Sequence, residues 1–261
     1  MKGKHYKIIL LAGVISLACT TRVSEWVLLN SIPNSYTLIH FHKDPLPESS
    51  KKQNLSLAGK ISTANIRFQT VQRPEIATPY YALYYQNRLF SKFETIDELQ
   101  GLTSSPLREK IAAELMAGKL CVLLYLKTDN AVKDEKGMNT IQQSIASSPF
   151  SEIITVVGLS RNSRVEHHLA SMLLNVEDDL KDIQEPMLFG VFGRFKALEP
   201  LLGKGITEDN INLMIDYFTA ECSCLIKDDL PGTDILFPDQ WANPKTALLN
   251  QIIDDNPQLG Y

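Results

Sequence analysis

Two tandem α/β units, each a mixed sheet with flanking helices, are what this sequence predicts. Three observations carry that expectation. Residues 34–104 and 105–236 run through the same order of elements: strand, helix, strand, then a proline and a hairpin. A strand that returns through a helix pairs in parallel with its predecessor, and a hairpin adds antiparallel strands, so each half implies a mixed sheet. The chain has 261 residues, 44% hydrophobic and 21% charged, a balance that suits two globular units of ordinary size.

In the first half, residues 36–42 (YTLIHFH) form an apolar strand. Residues 49–62 are polar with apolar positions at a spacing near 3.6, which predicts a helix, and residues 64–72 alternate like a strand. Pro79 then introduces two β-rich runs around the turn pair Gln86-Asn87, and a helical stretch is expected from Thr95. Pro106 opens a further helix carrying Leu107, Ile111 and Leu115 on one stripe, with Gly118 as its stop.

The second half repeats the order. Residues 120–127 (LCVLLYLK) read as a strand, 138–147 as a helix, 152–160 as a strand and 165–174 as a helix. Pro186 precedes two β-rich runs around Gly193-Arg194. Thr207 is the expected N-cap of a last helix over 208–220, whose buried stripe is Ile211, Met214, Ile215 and Phe218. The polar run VKDEKG at 132–137 reads as a solvated turn.

Three stretches of the second half are long and specific: SPLREKIAAELMAGKLCVLLYL, EPMLFGVFGRFKALEPLLGKGITEDNI and CSCLIKDDLPGTDILF. On them, residues 105–241 resemble a family of uncharacterised bacterial thioredoxin-like proteins, while the first half is similar in its order of elements alone. The resemblance implies a thioredoxin-like fold for both units and no assigned activity. In that fold a cis proline commonly stands before the hairpin, where Pro79 and Pro186 stand here; as sequence, both also fit ordinary strand starts.

The start of the chain has the form of an export signal. Lys2, Lys4 and Lys7 precede an apolar run over 8–18, too short to cross a bilayer core of about 30 Å, which takes roughly 20 apolar residues. A small residue, Ala18, stands directly before Cys19, as in a bacterial lipobox. The expectation is a signal peptide over 1–18, lipid on Cys19 and a linker over 19–33, with residues 237–261 as a C-terminal tail. Ordinary secretion is the alternative. The membrane is then a partner through the lipid anchor, and the cell envelope is the expected location.

Thioredoxin-type exchange needs a thiolate at a strand-to-helix junction and a second thiol beside it. The second-half junction, Lys127-Thr128-Asp129-Asn130, has neither, and Asp129 and Asn130 suit helix capping instead. The corresponding first-half segment offers His40, His42 and Asp44 but no thiol. Cys222 and Cys224 are the remaining candidates for redox or metal chemistry, although two thiolates fall short of a four-ligand zinc site. Cys121 begins an apolar strand and reads as a buried thiol, with a disulfide to Cys222 or Cys224 as the other outcome. Gly203-Lys204-Gly205 lacks the rest of a phosphate-loop motif and reads as a turn.

A net charge of −4 and a pI near 5.8 leave no basic footprint for nucleic acid. No catalytic residue, metal or cofactor is called for. The aromatic hairpin alternates, Tyr80 and Tyr84 facing one way and Tyr81 and Tyr85 the other, so one set can pack inward and the other meet a partner. Pro79, Tyr81, Tyr85 and Pro186 are the candidate contacts for an unidentified protein or peptide. The function expected is a non-catalytic thioredoxin-like binding or scaffold protein; the alternative is thiol redox or metal handling through Cys222 and Cys224.

Overall fold

A computed structural model describes residues 21–128, 130–221, 230–237, 250 and 252–254. Helix α1 (Val23–Asn30) leads into β1 (Tyr36–His42), α2 (Glu48–Ile61), β2 (Ile66–Gln72), β3 (Tyr80–Tyr85) and β4 (Arg88–Phe93). The second half holds α3 (Pro106–Met116), β5 (Cys121–Lys127), α4 (Ala131–Ser147), β6 (Ile154–Ser160), α5 (His167–Leu173) and β7 (Met187–Phe192). Short strands β8 (Lys196–Ala197) and β9 (Leu201–Leu202) follow, then α6 (Glu208–Thr219) and β10 (Thr233–Asp234).

The two sheets share one strand order. The first runs β2-β1-β3-β4 and the second β6-β5-β7-β8-β10, with β9 also on β7. In each, the first two strands pair in parallel and the hairpin joins antiparallel: Leu38 lies between Phe68 and Leu83, and Leu123 between Val156 and Gly190. The chain is a mixed α/β protein of two tandem sheets with flanking helices.

The elements stack in layers. Cys121, Leu123 and Tyr125 face one way, onto Val23 and Val27 of α1, Ile141 of α4 and the Ile211–Ile215–Phe218 stripe of α6. Val122, Leu124 and Leu126 face the other, into a cluster with Ile111 of α3 and Leu169 of α5. That cluster continues into the first half through Leu57 and Ile61 of α2 and through Tyr36, Leu38, Tyr81 and Leu83. The second core is therefore common to both halves. β5 and β7 are buried on both faces, as unbroken apolar runs require.

Local chemistry sets the boundaries. Gln86 and Asn87 both have positive φ, 47° and 65°, the geometry of a two-residue hairpin turn that follows the strand twist. Pro106 occupies the first turn of α3, where its missing N–H costs nothing. The Thr207 side chain accepts from Asn210 N at 3.3 Å to cap α6. Gly203-Lys204-Gly205 is a 3-10 turn.

Two expectations need correction, and the isomer of both hairpin prolines, open in the sequence, is fixed. Residues 132–137 are the first turns of α4, because the Asn130 side chain caps Lys133 N at 3.1 Å and Gly137 makes room for Tyr125. A Cβ on Gly137 would run into the Tyr125 hydroxyl and ring, so that glycine answers a packing demand. The helical stretch from Thr95 is a 3-10 turn, Asp97–Leu99, held by Glu98 Oε1 accepting from Thr95 N and Oγ1. Among the described residues there is no cis peptide bond, so Thr78-Pro79 and Glu185-Pro186 are both trans.

Candidate functional site

The strand-to-helix junction of the second half closes on itself. Thr128 donates from its backbone N (2.8 Å) and its Oγ1 (3.1 Å) to one Asp134 oxygen. Asn130 N donates to Thr128 Oγ1 at 3.1 Å, and Asn130 caps the helix. Of the amides that open α4, Lys133 N is thus capped by the Asn130 side chain and Asp134 N bonds the Asn130 carbonyl at 3.0 Å; Asp129 lies outside the described residues.

Beside this junction lies a cleft of about 670 Å³ between α4 and the turn that leads to α6. Its apolar wall is Pro186, Leu202 and Ile206, and its polar rim is Lys133, Lys136, Lys204 and Glu185. Lys133 Nζ pairs with Glu185 at 2.6 Å, both side chains about half exposed. Lys136 and Lys204 have no carboxylate partner among the described residues. Three ammonium groups against one carboxylate give the cleft net positive charge, and the N-termini of α4 and α6 add to it. The first-turn acids of α6, Glu208 and Asp209, partly offset the latter.

The first-half junction is built differently. His40, at the C-terminal end of β1, stacks on Tyr81 with centroids 4.3 Å apart and planes 12° from parallel. Tyr81 OH donates to Asn54 Oδ1 at 3.0 Å, which leaves Asn54 Nδ2 to donate to His40 Nδ1 at 2.8 Å. Burial lowers the His40 pKa, the neighbouring His42 lowers it further, and the Asn54 hydrogen bond opposes both. His42 Nδ1 bonds the Asp44 carbonyl at 2.9 Å. Among the described residues no cluster of three or more histidine, cysteine or acidic side chains could hold a metal.

The four candidate hairpin contacts differ in exposure. Tyr81 is buried against His40 and Asn54. Tyr85 packs on Tyr36 at 4.5 Å, and its hydroxyl accepts from Asp234 N at 3.3 Å. The core lies on the Tyr81–Leu83–Tyr85 side; Tyr80, Tyr84 and Tyr85 are all half-exposed, and Tyr80 and Tyr84 face away from that core. Pro186 is largely buried, its carbonyl accepting from Gly203 N at 2.8 Å, and it reaches the surface at the cleft wall; Pro79 alone of the four is exposed. Strand alternation identifies the two sets and leaves open which one is inside.

Cys121 is a free, fully buried thiol, and burial pushes its pKa up. Cys19, Cys222 and Cys224 lie outside the described residues. Sequence reasoning missed the cationic cleft, because Lys133, Lys136 and Lys204 meet only once α4 and the 203–205 turn are packed together. No protein-family model matches this chain, and no curated protein matches it.

Proposed function

We infer that this protein is a non-catalytic binding or scaffold module of thioredoxin-like build, exported and held at the membrane by lipid on Cys19. The observation that carries the reading is the pairing of a self-capped junction with a cationic, apolar-walled cleft beside it. The junction Lys127-Thr128-Asp129-Asn130 carries no thiol, and Thr128 and Asn130 are engaged in the local hydrogen bonds that cap the helix. The neighbouring cleft can hold an extended segment by one apolar side chain on Pro186, Leu202 and Ile206 and one carboxylate near Lys136 and Lys204. The β-α-β-hairpin order common to both halves supports the thioredoxin-like resemblance.

The cleft is tested with fluorescent peptides that place an acidic residue beside a leucine. Binding is expected, and the Lys136→Glu, Lys204→Glu double variant should weaken it by about tenfold or more, roughly 1.4 kcal/mol. Equal affinity for acidic and amidated peptides removes the cleft from consideration. Location is tested separately. The mature protein should begin at an acylated Cys19, and Cys19→Ser should move it from membrane to soluble fractions, since each buried methylene of a lipid contributes about 0.8 kcal/mol. An unmodified Met1 on the mature protein would overturn the anchor.

A further inference from the structure

The layered stack leaves one sheet face uncovered. In the second half, the link from β6 to β7 contains α5, and α5 with α3 covers that side of the sheet. In the first half, the link from β2 to β3 is residues 73–79 with no helix. Its sheet therefore packs through the Leu38–Leu83 face and, among the described residues, carries no helix on the other.

That outer face has a definite order. Tyr84 stands opposite Thr37, which is paired with Arg67. On the next rung Ala82 lies between Ile39 and Lys92. On the third, Tyr80 stands opposite Phe41. Tyr80 and Tyr84 are roughly 13 Å apart along the strand; Ala82 between them is only 1% exposed, so the two half-exposed rings stand over a closed floor.

The charge on this face is one-sided. None of the four strands contains an aspartate or a glutamate, in a protein whose net charge is −4. Lys92 Nζ sits 4.2 Å from the Tyr80 ring centroid, and the Arg73 guanidinium 5.1 Å from that of Phe41. Arg73 also has Glu75 at 3.7 Å; Arg67 and Lys92 have no carboxylate partner among the described residues. A cation held over a ring is already placed on the sheet surface, so less freedom is lost when an anion arrives.

We propose that this face binds an acidic polysaccharide, laid across the strands with a sugar ring against Tyr84 and its carboxylates near Arg67 and Lys92. Sugar rings have apolar faces that pack on tyrosine and hydroxyls that need partners. Thr37, Gln69, Tyr80 and Tyr84 supply those partners, since no side-chain hydrogen bond within the described residues engages them. The cations are sparse, which matches a carboxylate on every sugar or two better than the closely spaced phosphates of a nucleic acid. A bilayer is disfavoured because Leu89 is the one strongly exposed aliphatic side chain on the described face, while Ile39 and Val71 are half-buried. A second copy of the same face would set Arg67 and Lys92 against like charge.

This surface is separate from the cleft, and its test does not depend on the cleft. The purified mature chain is run in native gels containing polygalacturonate, neutral dextran or neither. Binding is measured in parallel to a single-stranded oligothymidylate and to phosphatidylglycerol vesicles. Retardation by polygalacturonate alone is expected. Tyr84→Ala should weaken it about tenfold, and Arg67→Ala with Lys92→Ala by at least as much, with unchanged thermal unfolding. Retardation by dextran, tighter binding to the oligonucleotide or the vesicles, or self-association through this face would each overturn the proposal. So would Tyr84→Ala binding as well as wild type, which would reduce the face to a diffuse positive surface.

Discussion

Lys196 and Asp234 form a buried ion pair, Nζ to Oδ1 at 3.0 Å, with side chains only 9% and 4% exposed. The carboxylate also accepts from the backbone N (3.0 Å) and side-chain Nδ2 (3.1 Å) of Asn34. The Asp234 carbonyl accepts from Tyr36 OH at 2.9 Å. One residue of β10 thus fastens the second sheet to the start of the first.

Removing one partner of this pair should cost far more than removing both. Asp234→Ala strands a buried ammonium and breaks the bonds to Asn34, and should lower unfolding free energy by about 3–5 kcal/mol. Lys196→Met combined with Asp234→Asn should lose less than the sum of the single losses. Urea midpoints at constant m-value measure both; additivity of the two changes would show that the pair is not coupled.

Gly137 offers a sharper contrast. On an exposed helix, glycine to alanine stabilises by about 1 kcal/mol. Here Gly137→Ala should destabilise by about 1–3 kcal/mol, because the new methyl meets the Tyr125 ring and hydroxyl. Tyr125→Phe in the same chain should recover part of the loss. A stabilised Gly137→Ala variant would mean that α4 shifts easily away from β5.

His168 makes stability depend on pH. Burial, with His167 beside it, lowers its pKa from 6.5 to about 4, against the hydrogen bonds to the Glu98 and Gln100 carbonyls. Between those values the unfolded chain binds the proton and the folded chain does not. The stabilisation is therefore complete above about pH 6.5 and lost as pH falls towards 4, with a slope of at most about 1.4 kcal/mol per pH unit. His40 acts in the same direction. Denaturation at a series of pH values should give a shallower acid slope for His168→Gln than for wild type.

Thiol chemistry supplies the last prediction. With Cys19, Cys222 and Cys224 replaced by serine, Cys121 should resist alkylation in the native protein and react only as the chain unfolds. The wild-type chain should show no useful disulfide-reductase turnover, because a competent thiol sits at a helix N-terminus and no cysteine occupies the Lys127–Asn130 junction. Turnover that disappears in the Cys222→Ala, Cys224→Ala double variant would favour the redox alternative.

Much of this was legible in the sequence because it is local. The strand runs, the Gln86-Asn87 turn, the Thr207 cap and the buried stripe of α6 depend on residues within a turn or two of each other. Their repeated order foretold the two tandem mixed sheets. The polar run at 132–137 failed for a local reason too: a solvated helix turn and a solvated loop have the same composition, and Gly137 answers to Tyr125, distant in sequence. What only the tertiary structure decided is which of two equivalent strand faces is inside. Tyr80 and Tyr84 or Tyr81 and Tyr85 could have been buried on alternation alone; the packing of α2 and the second half against Leu38 and Leu83 selected the latter pair. The same stacking merged the cores, joined Lys196 to Asp234, and gathered Lys133, Lys136 and Lys204 at one cleft. Each of these is a meeting of residues far apart in the chain, which periodicity and propensity cannot encode.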